Sequence, residues 1–408
     1  MPDFTMTEKQ KQIVGFIHEF SKGVLRPISL EADRNHKIPE DLLSRLAVMR
    51  SALPGGGTSL PEEYGGAADK GDGAKGEKKK ASEANRFAIL AAEEMAWGDA
   101  SILLNLPGPG LGGPPVRFMG TPEQRERFFG VFKQPGLHYG AYGLTEPGAG
   151  SDVSAIRTSC RKDGKHWVLN GRKCFITNGA RADWTVIFAT VDPKQGRAGH
   201  RAFVVEKGTP GFSVGKIEEK MGLRASETAE LVLEDCRVPE ENLLGGEEHY
   251  RGKEGFMGAM KTFDASRPMV GIMAVGIARA AHDYVCDFVR DNYALGRPVP
   301  RYAQLATLLA DDARLIDAAR LMCWRAVWLA DEGLANAKEA SMAKAYAARA
   351  AMKVCTDAVQ IMGAHGLERH QLVEKWYRDI KVYDIFEGTA QIQRVVISKR
   401  ILREAPQW

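Results

Sequence analysis

Two short segments carry the residue types that proton transfer and close ligand binding need. The later one, Ile385-Phe-Glu-Gly-Thr-Ala-Gln-Ile-Gln-Arg394, sets a carboxylate, Glu387, directly before a glycine, between apolar Phe386 and a run of helix formers. A carboxylate so placed sits where the backbone turns and where burial raises its pKa, which suits a general base working near neutral pH. Taken alone, a capping or surface glutamate is the commoner use of such a residue. The earlier segment, Tyr142-Gly-Leu-Thr-Glu-Pro-Gly-Ala-Gly-Ser-Asp152, concentrates glycines with Thr145, Ser151 and Asp152. Glycines let backbone N–H groups approach a planar or anionic ligand closely. The segment is not a Walker loop, because no Gly-Lys-Ser/Thr follows, and it is not the Gly-x-Ser-x-Gly elbow of a serine hydrolase.

Other chemistries find little support. None of the nine histidines falls in His-Glu-x-x-His or another ligand pattern, so no metal is expected. His365, in Gly363-Ala-His-Gly366, reads as a loop histidine with a backbone partner. The six cysteines are scattered, without a Cys-x-x-Cys pair, as suits reduced thiols in a cytoplasmic protein. A formal net charge of +4 over 408 residues is too mild for a nucleic-acid footprint and suits a phosphorylated small molecule equally well. No run of eighteen apolar residues appears, and Met1 to Gln12 is polar, so neither membrane insertion nor secretion is expected.

The elements that must position these segments fall into three stretches. Up to about His138 the pattern is helical, with Thr7 a cap before Glu8 to Phe20 and a long helix from about Ser82 to Trp97. Ala67 to Lys80, rich in Gly, Lys and Asp, cannot bury apolar surface and reads as a wet loop. From His138 to Gly246 the chain alternates in short runs between turn signals such as Asp163-Gly164, Asn170-Gly171 and Asn178-Gly179. Helical periodicity then returns in four long Ala-rich segments, about Gly255 to Asn292, Tyr302 to Asp331, Ala335 to Met362 and Val373 to Leu402. The expectation is an α+β fold: an N-terminal helical domain over 1–137, a small middle β-barrel or sandwich over 138–250, and a C-terminal four-helix bundle over 251–408.

Three further segments occur in order with the first two: Lys173-Cys-Phe-Ile-Thr-Asn-Gly179, Met221-Gly-Leu-Arg-Ala-Ser226 and Phe263-Asp-Ala-Ser-Arg267. Together the five resemble the acyl-CoA dehydrogenase family over nearly the whole chain. The resemblance implies an FAD-dependent enzyme that forms a 2-enoyl-CoA from an acyl-CoA, with Glu387 as base and flavin N5 as hydride acceptor. It implies that Tyr142, Leu144 and Thr145 line the flavin, that Phe175 covers its ring, and that Thr177 sets a hydroxyl near N5. The Glu387 N–H and a ribityl hydroxyl are implied as donors to the thioester oxygen. Some relatives carry their base immediately before the arginine of the Asp-x-x-Arg motif, and that position here is Ser266. Asp264, Ser266 and Arg267 match positions that grip CoA, and Ser151 another contact near the thioester. Gln360, Gly363 and Gly366 are implied to reach the FAD of a neighbouring copy, with Thr389 and Gln391 nearer the adenosine. That sharing implies a homo-oligomer, in this family usually a tetramer, and an electron-transfer flavoprotein as electron acceptor.

Two departures stand out. Where relatives carry Arg-x-Phe-Gly after Tyr-Ala-Leu, this chain reads Tyr293-Ala-Leu-Gly-Arg-Pro-Val-Pro-Arg301, leaving Arg297 to reach the FAD pyrophosphate. Leu106-Pro-Gly-Pro-Gly-Leu-Gly-Gly-Pro-Pro115 replaces a helix beside the acyl chain with residues that cannot continue one. This suggests a pocket shaped for a bulky, branched or ring-bearing acyl group, or a local irregularity without effect on substrate choice. The competing readings are a flavin-dependent oxidase or enoyl-CoA reductase on the same fold, and a non-catalytic flavoprotein acting as a binding module.

Overall fold

The computed structural model describes residues 4–51, 84–251, 257–294, 297–298 and 302–404, so Ala67–Lys80 lies outside them. The chain opens with α1 (Glu8–Phe20), whose first turn is closed by a capping box: Gln10 N donates to Thr7 Oγ1, and Thr7 N donates to Gln10 Oε1. The short helices α2 (Arg26–Asn35) and α3 (Glu40–Ser51) follow, then α4 (Ala84–Leu104), α5 (Gly113–Met119) and α6 (Pro122–Gly130). α4 runs seven residues past the expected end at Trp97, although Asp99 leaves helical geometry (φ −161°, ψ 119°).

The middle of the chain folds as seven strands: β1 (Gly140–Gly143), β2 (Ser159–Asp163), β3 (His166–Thr177), β4 (Trp184–Thr190), β5 (His200–Glu206), β6 (Phe212–Ile217) and β7 (Thr228–Pro239). They form one sheet in the order β1-β4-β2-β3-β7-β6, with β5 paired to β4. β1 lies parallel to β4, and β3 pairs antiparallel with β7 through register shifts after Leu169 and Lys173. The second shift is a bulge at the Lys173–Thr177 segment, and it re-aims the side chains there.

The glycines of the Leu106–Pro115 segment have a packing cause. A Cβ on Gly112 would lie 2.5 Å from the Ala141 carbonyl, and one on Gly140 would lie 2.6 Å from that of Pro109. Backbone bonds Gly108 N to His138 O (2.7 Å) and Gly140 N to Gly108 O (2.9 Å) seal the contact. The segment therefore docks the helical region onto β1, and helix resumes at Gly113 with Pro114 and Pro115 in its first turn, where proline is tolerated.

The C-terminal region holds α7 (Met257–Asp291), a two-residue ribbon of β8 (Tyr293–Ala294) and β9 (Arg297–Pro298), then α8 (Ala303–Asp331), α9 (Ala337–Met362), α10 (Leu372–Tyr383) and α11 (Ala390–Glu404). Alanines at Ala274, Ala278 and Ala281 on α7 and at Ala340, Ala343, Ala347 and Ala351 on α9 are buried together, which lets the two helices pack closely. The stretch Ser266–Asp291 is long and apolar enough to cross a membrane, but 67% of its most apolar window is buried, as in a core helix. The fourth long helix expected from the sequence is two helices, α10 and α11, broken at 384–389. Periodicity persists across that gap, but Glu387 (φ 57°) and Gly388 (φ 90°) are left-handed and end the helical ladder.

A buried ion cluster joins all three regions. Lys375 Nζ of α10 lies 2.8 Å from Asp99 of α4 and 2.6 Å from Asp379 of α10. Asp379 also accepts from Leu223 N in the Met221–Ser226 loop, and Asp99 from Ser29 of α2. Burial alone would lower the Lys375 pKa, but Asp379 and Asp99 hold it above the ordinary value.

Candidate active site

Glu387 sits in the turn between α10 and α11, which the chain fixes from several sides. The Ala390 N–H donates to the Asp384 carbonyl at 3.1 Å, closing the loop. Ile392 N donates to Thr389 Oγ1 at 3.3 Å, so Thr389 caps α11. Buried Gln393 donates through Nε2 to the carbonyls of Glu387 (3.1 Å) and Gly388 (3.0 Å). A Cβ on Gly388 would meet that same Nε2 at 2.7 Å, so glycine is required by both φ and space. Among the described residues, no group accepts the Glu387 N–H.

The carboxylate is half-buried, and Ser266 of α7 donates its hydroxyl to Glu387 Oε2 at 2.8 Å. Burial raises the Glu387 pKa, while the Ser266 hydrogen bond and the charges of Arg267 and Lys344 pull the other way. The position where some relatives carry their base thus serves, in this chain, as a hydrogen-bond donor to the glutamate. Ser266→Ala is expected to move the acid limb of the activity profile up by about one pH unit, since a bond favouring the charged form is lost. A kcat–pH profile checks this, and an unmoved limb contradicts it.

From the other side, Tyr142 on β1 faces this carboxylate. Its phenol pKa is raised first by burial and then by the charge of Glu387. The two segments that opened the sequence reading therefore meet at one site between the sheet and the C-terminal helices. Nearby, Cys174 N donates to Thr145 O at 2.9 Å, tying β3 to the glycine-rich loop. A buried pair braces that junction: Lys173 Nζ contacts Glu146 Oε1 at 2.6 Å and the Leu144 carbonyl at 3.2 Å. Glu146 also accepts from Arg157 N and Thr158 N. Burial pushes Lys173 down to about 8, and burial would raise Glu146, but Lys173 and the two N–H donors hold it low.

This brace projects Phe175 outward, 62% exposed and in the left-handed region at φ 57°. Among the described residues, six non-glycines hold such a φ, and Phe175, Asn178, Leu223 and Glu387 all fall in the motif segments. Such positions cost about 1–3 kcal/mol each, and their grouping in these segments makes this surface the candidate site. An exposed aromatic held outward beside half-exposed Thr177, and an N–H without an acceptor among the described residues, fit a planar cofactor and a carbonyl-bearing ligand.

Several expected residues are placed differently from one another. Leu144 is buried in the sheet core with Val186 and Phe188, so only its backbone is presented. Arg267 is buried too, its Nη1 3.4 Å from Ser341 Oγ, and it acts here as an interior charge near Glu387 instead of an exposed grip. Ser151 and Gln391 are exposed. Gln360 and Gly366 line a separate open cleft of about 360 Å³ with Thr356, Val359, Leu367, Glu374 and Tyr377. Gly363, at φ 58°, ends α9 beside it. Asp264 falls on the first turns of α7 and Arg297 in β9, and the side chains of both lie outside the described residues.

Lys173, Glu146, Lys344 and Gln393 were not singled out from the sequence. Glu146 and Lys173 each lie inside a motif segment, where a charged residue beside apolar neighbours is the available signal. Family profiles match in succession: the acyl-CoA dehydrogenase N-terminal domain over residues 7–131, the middle domain over 141–236 and the C-terminal domain over 253–402. The chain belongs to the acyl-CoA dehydrogenase family. Within it, the chain is 39% identical over 405 residues to a cyclohexane-1-carbonyl-CoA dehydrogenase of Syntrophus aciditrophicus, covering 98% of each chain. It is 38% identical to an acryloyl-CoA reductase (NADH) of Anaerotignum propionicum, over 98% of this chain and 96% of the relative. The solved butyryl-CoA dehydrogenase of Megasphaera elsdenii superposes with a TM-score of 0.85 at 36% identity, covering 98% of this chain and all of that one. These matches run from the N-terminal helices through the C-terminal bundle.

Proposed function

We propose that the protein dehydrogenates an acyl-CoA thioester to its 2-enoyl-CoA with FAD, and that Glu387 is the base that takes the α-proton. The observation that carries this reading is the half-buried Glu387 carboxylate, raised in pKa by burial, on a turn whose own N–H has no acceptor among the described residues. When bound, FAD supplies the acceptor for the β-hydride. Tyr142, Thr145, Phe175, Thr177 and the Leu144 backbone hold it on the sheet side, with Thr389 and Gln391 toward its far end.

The α-hydrogen of a thioester is too weakly acidic for a carboxylate unless the developing enolate oxygen is stabilised. The Glu387 N–H is the chain's donor for that oxygen, and losing such a donor typically costs about 10² to 10³ in rate. As the proton arrives, Glu387 becomes a neutral acid, the form that burial favours. Because its pKa is raised, activity rises with pH over a range above that of an ordinary carboxylate. Ser266 keeps the carboxylate aimed, and Ser151 and Asp264 contribute to CoA binding. Arg297 is assigned to the FAD pyrophosphate.

The units of this reading are 1–137, 138–250 and 251–408. The cleft of Gln360 and Gly366, edged by exposed Leu367, supports an assembly in which one copy completes the FAD site of another, and we assign a homotetramer. Electrons pass to an electron-transfer flavoprotein. For the acyl group, both a small straight chain and a ring-bearing one are carried by similar enzymes, and we favour the bulky, branched or ring-bearing class. The reductase relative favours one second reading, the same site run toward an acyl-CoA.

Anaerobic titration of the yellow protein with a panel of straight, branched and cyclic acyl-CoAs tests this proposal. Bleaching of the flavin by one class is the expected result, and no bleaching by any member contradicts dehydrogenation. Oxidation of the reduced protein by enoyl-CoAs alone selects the reductase reading, and rapid reoxidation by oxygen selects an oxidase.

A further inference from the structure

Lys344 is a buried cation at this site to which the proposed reaction gives no role. It lies on the buried stripe of α9 with Ala340, Ala343, Ala347 and Ala351, and none of its side chain is exposed. A lysine is almost never fully buried unless its ammonium is paired. Here Nζ donates to the Gly388 carbonyl at 2.8 Å, and the charged groups it faces are Glu387 and Asp384 beside that turn and Arg267 on α7. Gln393, from α11, donates to the same carbonyl and to that of Glu387. The Gly388 carbonyl is therefore held from two helices and the Glu387 carbonyl from α11, which fixes the turn that carries the Glu387 side chain.

We propose that Lys344 is a positioning residue for the reaction, anchoring the Glu387–Gly388 turn through the Gly388 carbonyl and supplying a buried positive charge that faces the Glu387 carboxylate. This inference rests on the reading of Glu387 as the base. Burial pushes Lys344 down to about 8, and the negative charges of Glu387 and Asp384 oppose that shift. The reciprocal effect acts on Glu387, which burial raises and Ser266, Arg267 and Lys344 lower. The phenol of Tyr142, facing from β1, stays neutral because burial and Glu387 both raise it. Among the described residues, Arg267 remains as the cation acting on Glu387 if Lys344 is neutralised. The Lys344 charge lowers the Glu387 pKa alongside Ser266 and Arg267, so its removal raises that pKa and shrinks the ionised fraction at neutral pH.

The test uses holoenzyme variants Lys344→Gln, Lys344→Met and Lys344→Arg. Infrared difference titration follows the carboxyl band that is absent in Glu387→Gln, and kcat and KM are measured across pH. Lys344→Gln keeps a polar amide, one atom shorter, but no charge, so it carries the test even if Lys344→Met does not fold. The expected result is a Glu387 midpoint raised by about one unit or more in the uncharged variants, a matching move of the acid limb of kcat, little change in KM, and recovery of most of the shift in Lys344→Arg. A midpoint in Lys344→Gln unchanged from wild type overturns the proposal, as does Lys344→Arg behaving like Lys344→Met. Should Glu387→Gln retain turnover, the base assignment fails by itself, while the band titration still judges whether Lys344 acts on that carboxyl.

Discussion

Glu387→Gln is expected to lower kcat by about 10² to 10⁴, the usual worth of a positioned base, while the protein keeps its fold and binds acyl-CoA. Glutamine has the shape of glutamate and retains an oxygen to accept from Ser266. The backbone clamp through Gln393 and Lys344 is independent of the side chain, so the Glu387 N–H stays in place. What is lost is the lone pair that takes the proton, which should leave KM nearly unmoved and depress kcat across the whole pH range. Single-turnover flavin reduction measures this directly, and a near-normal rate in the variant would falsify the assignment.

The second large effect concerns stability. Lys375→Met removes the cation between Asp99 and Asp379, all three of them almost wholly buried. Breaking a buried pair by deleting one partner typically costs about 3–5 kcal/mol, because the remaining charge has no compensation. Here two carboxylates are left facing each other, so one must take a proton or the cluster must open to water. Asp379 also anchors the Met221–Ser226 loop through Leu223 N, and Asp99 anchors α2 through Ser29. Loss of the cation should therefore loosen the contact among all three regions, and chemical denaturation should show a much lower midpoint. An unchanged midpoint contradicts the role given to Lys375. Replacing Lys375, Asp99 and Asp379 together by apolar residues should be far milder than Lys375→Met alone.

The turn at Glu387 left a mark in Phe386-Glu387-Gly388, a carboxylate before a residue suited to positive φ, but alone that pattern reads as a capping or surface glutamate, and periodicity runs the helix straight through the break. Ser266 could be read as the absence of a second base, but not as a donor to Glu387, since that contact joins residues 121 apart in the chain. Phe175 alternates like any strand residue, and only the bulge after Lys173 turns it outward. Lys344 left a fainter mark, a lysine on a stripe otherwise made of alanines, which spacing reveals only once that stripe is known to be buried. Gly112 reads as a helix breaker, whereas its cause is the close approach of its backbone to β1, where Gly140 answers it, a pairing that sequence patterns do not show.

In the proposed reaction the Glu387 carboxylate removes the proton next to the thioester carbonyl. Proton exchange tests it apart from hydride transfer: a 3-thia acyl-CoA, whose β-position is sulfur and offers no hydride, is incubated with the protein in D2O and its α-position followed by NMR. The account predicts exchange of the α-protons by the wild-type protein and its loss in Glu387→Gln. Exchange by that variant at the wild-type rate would contradict it.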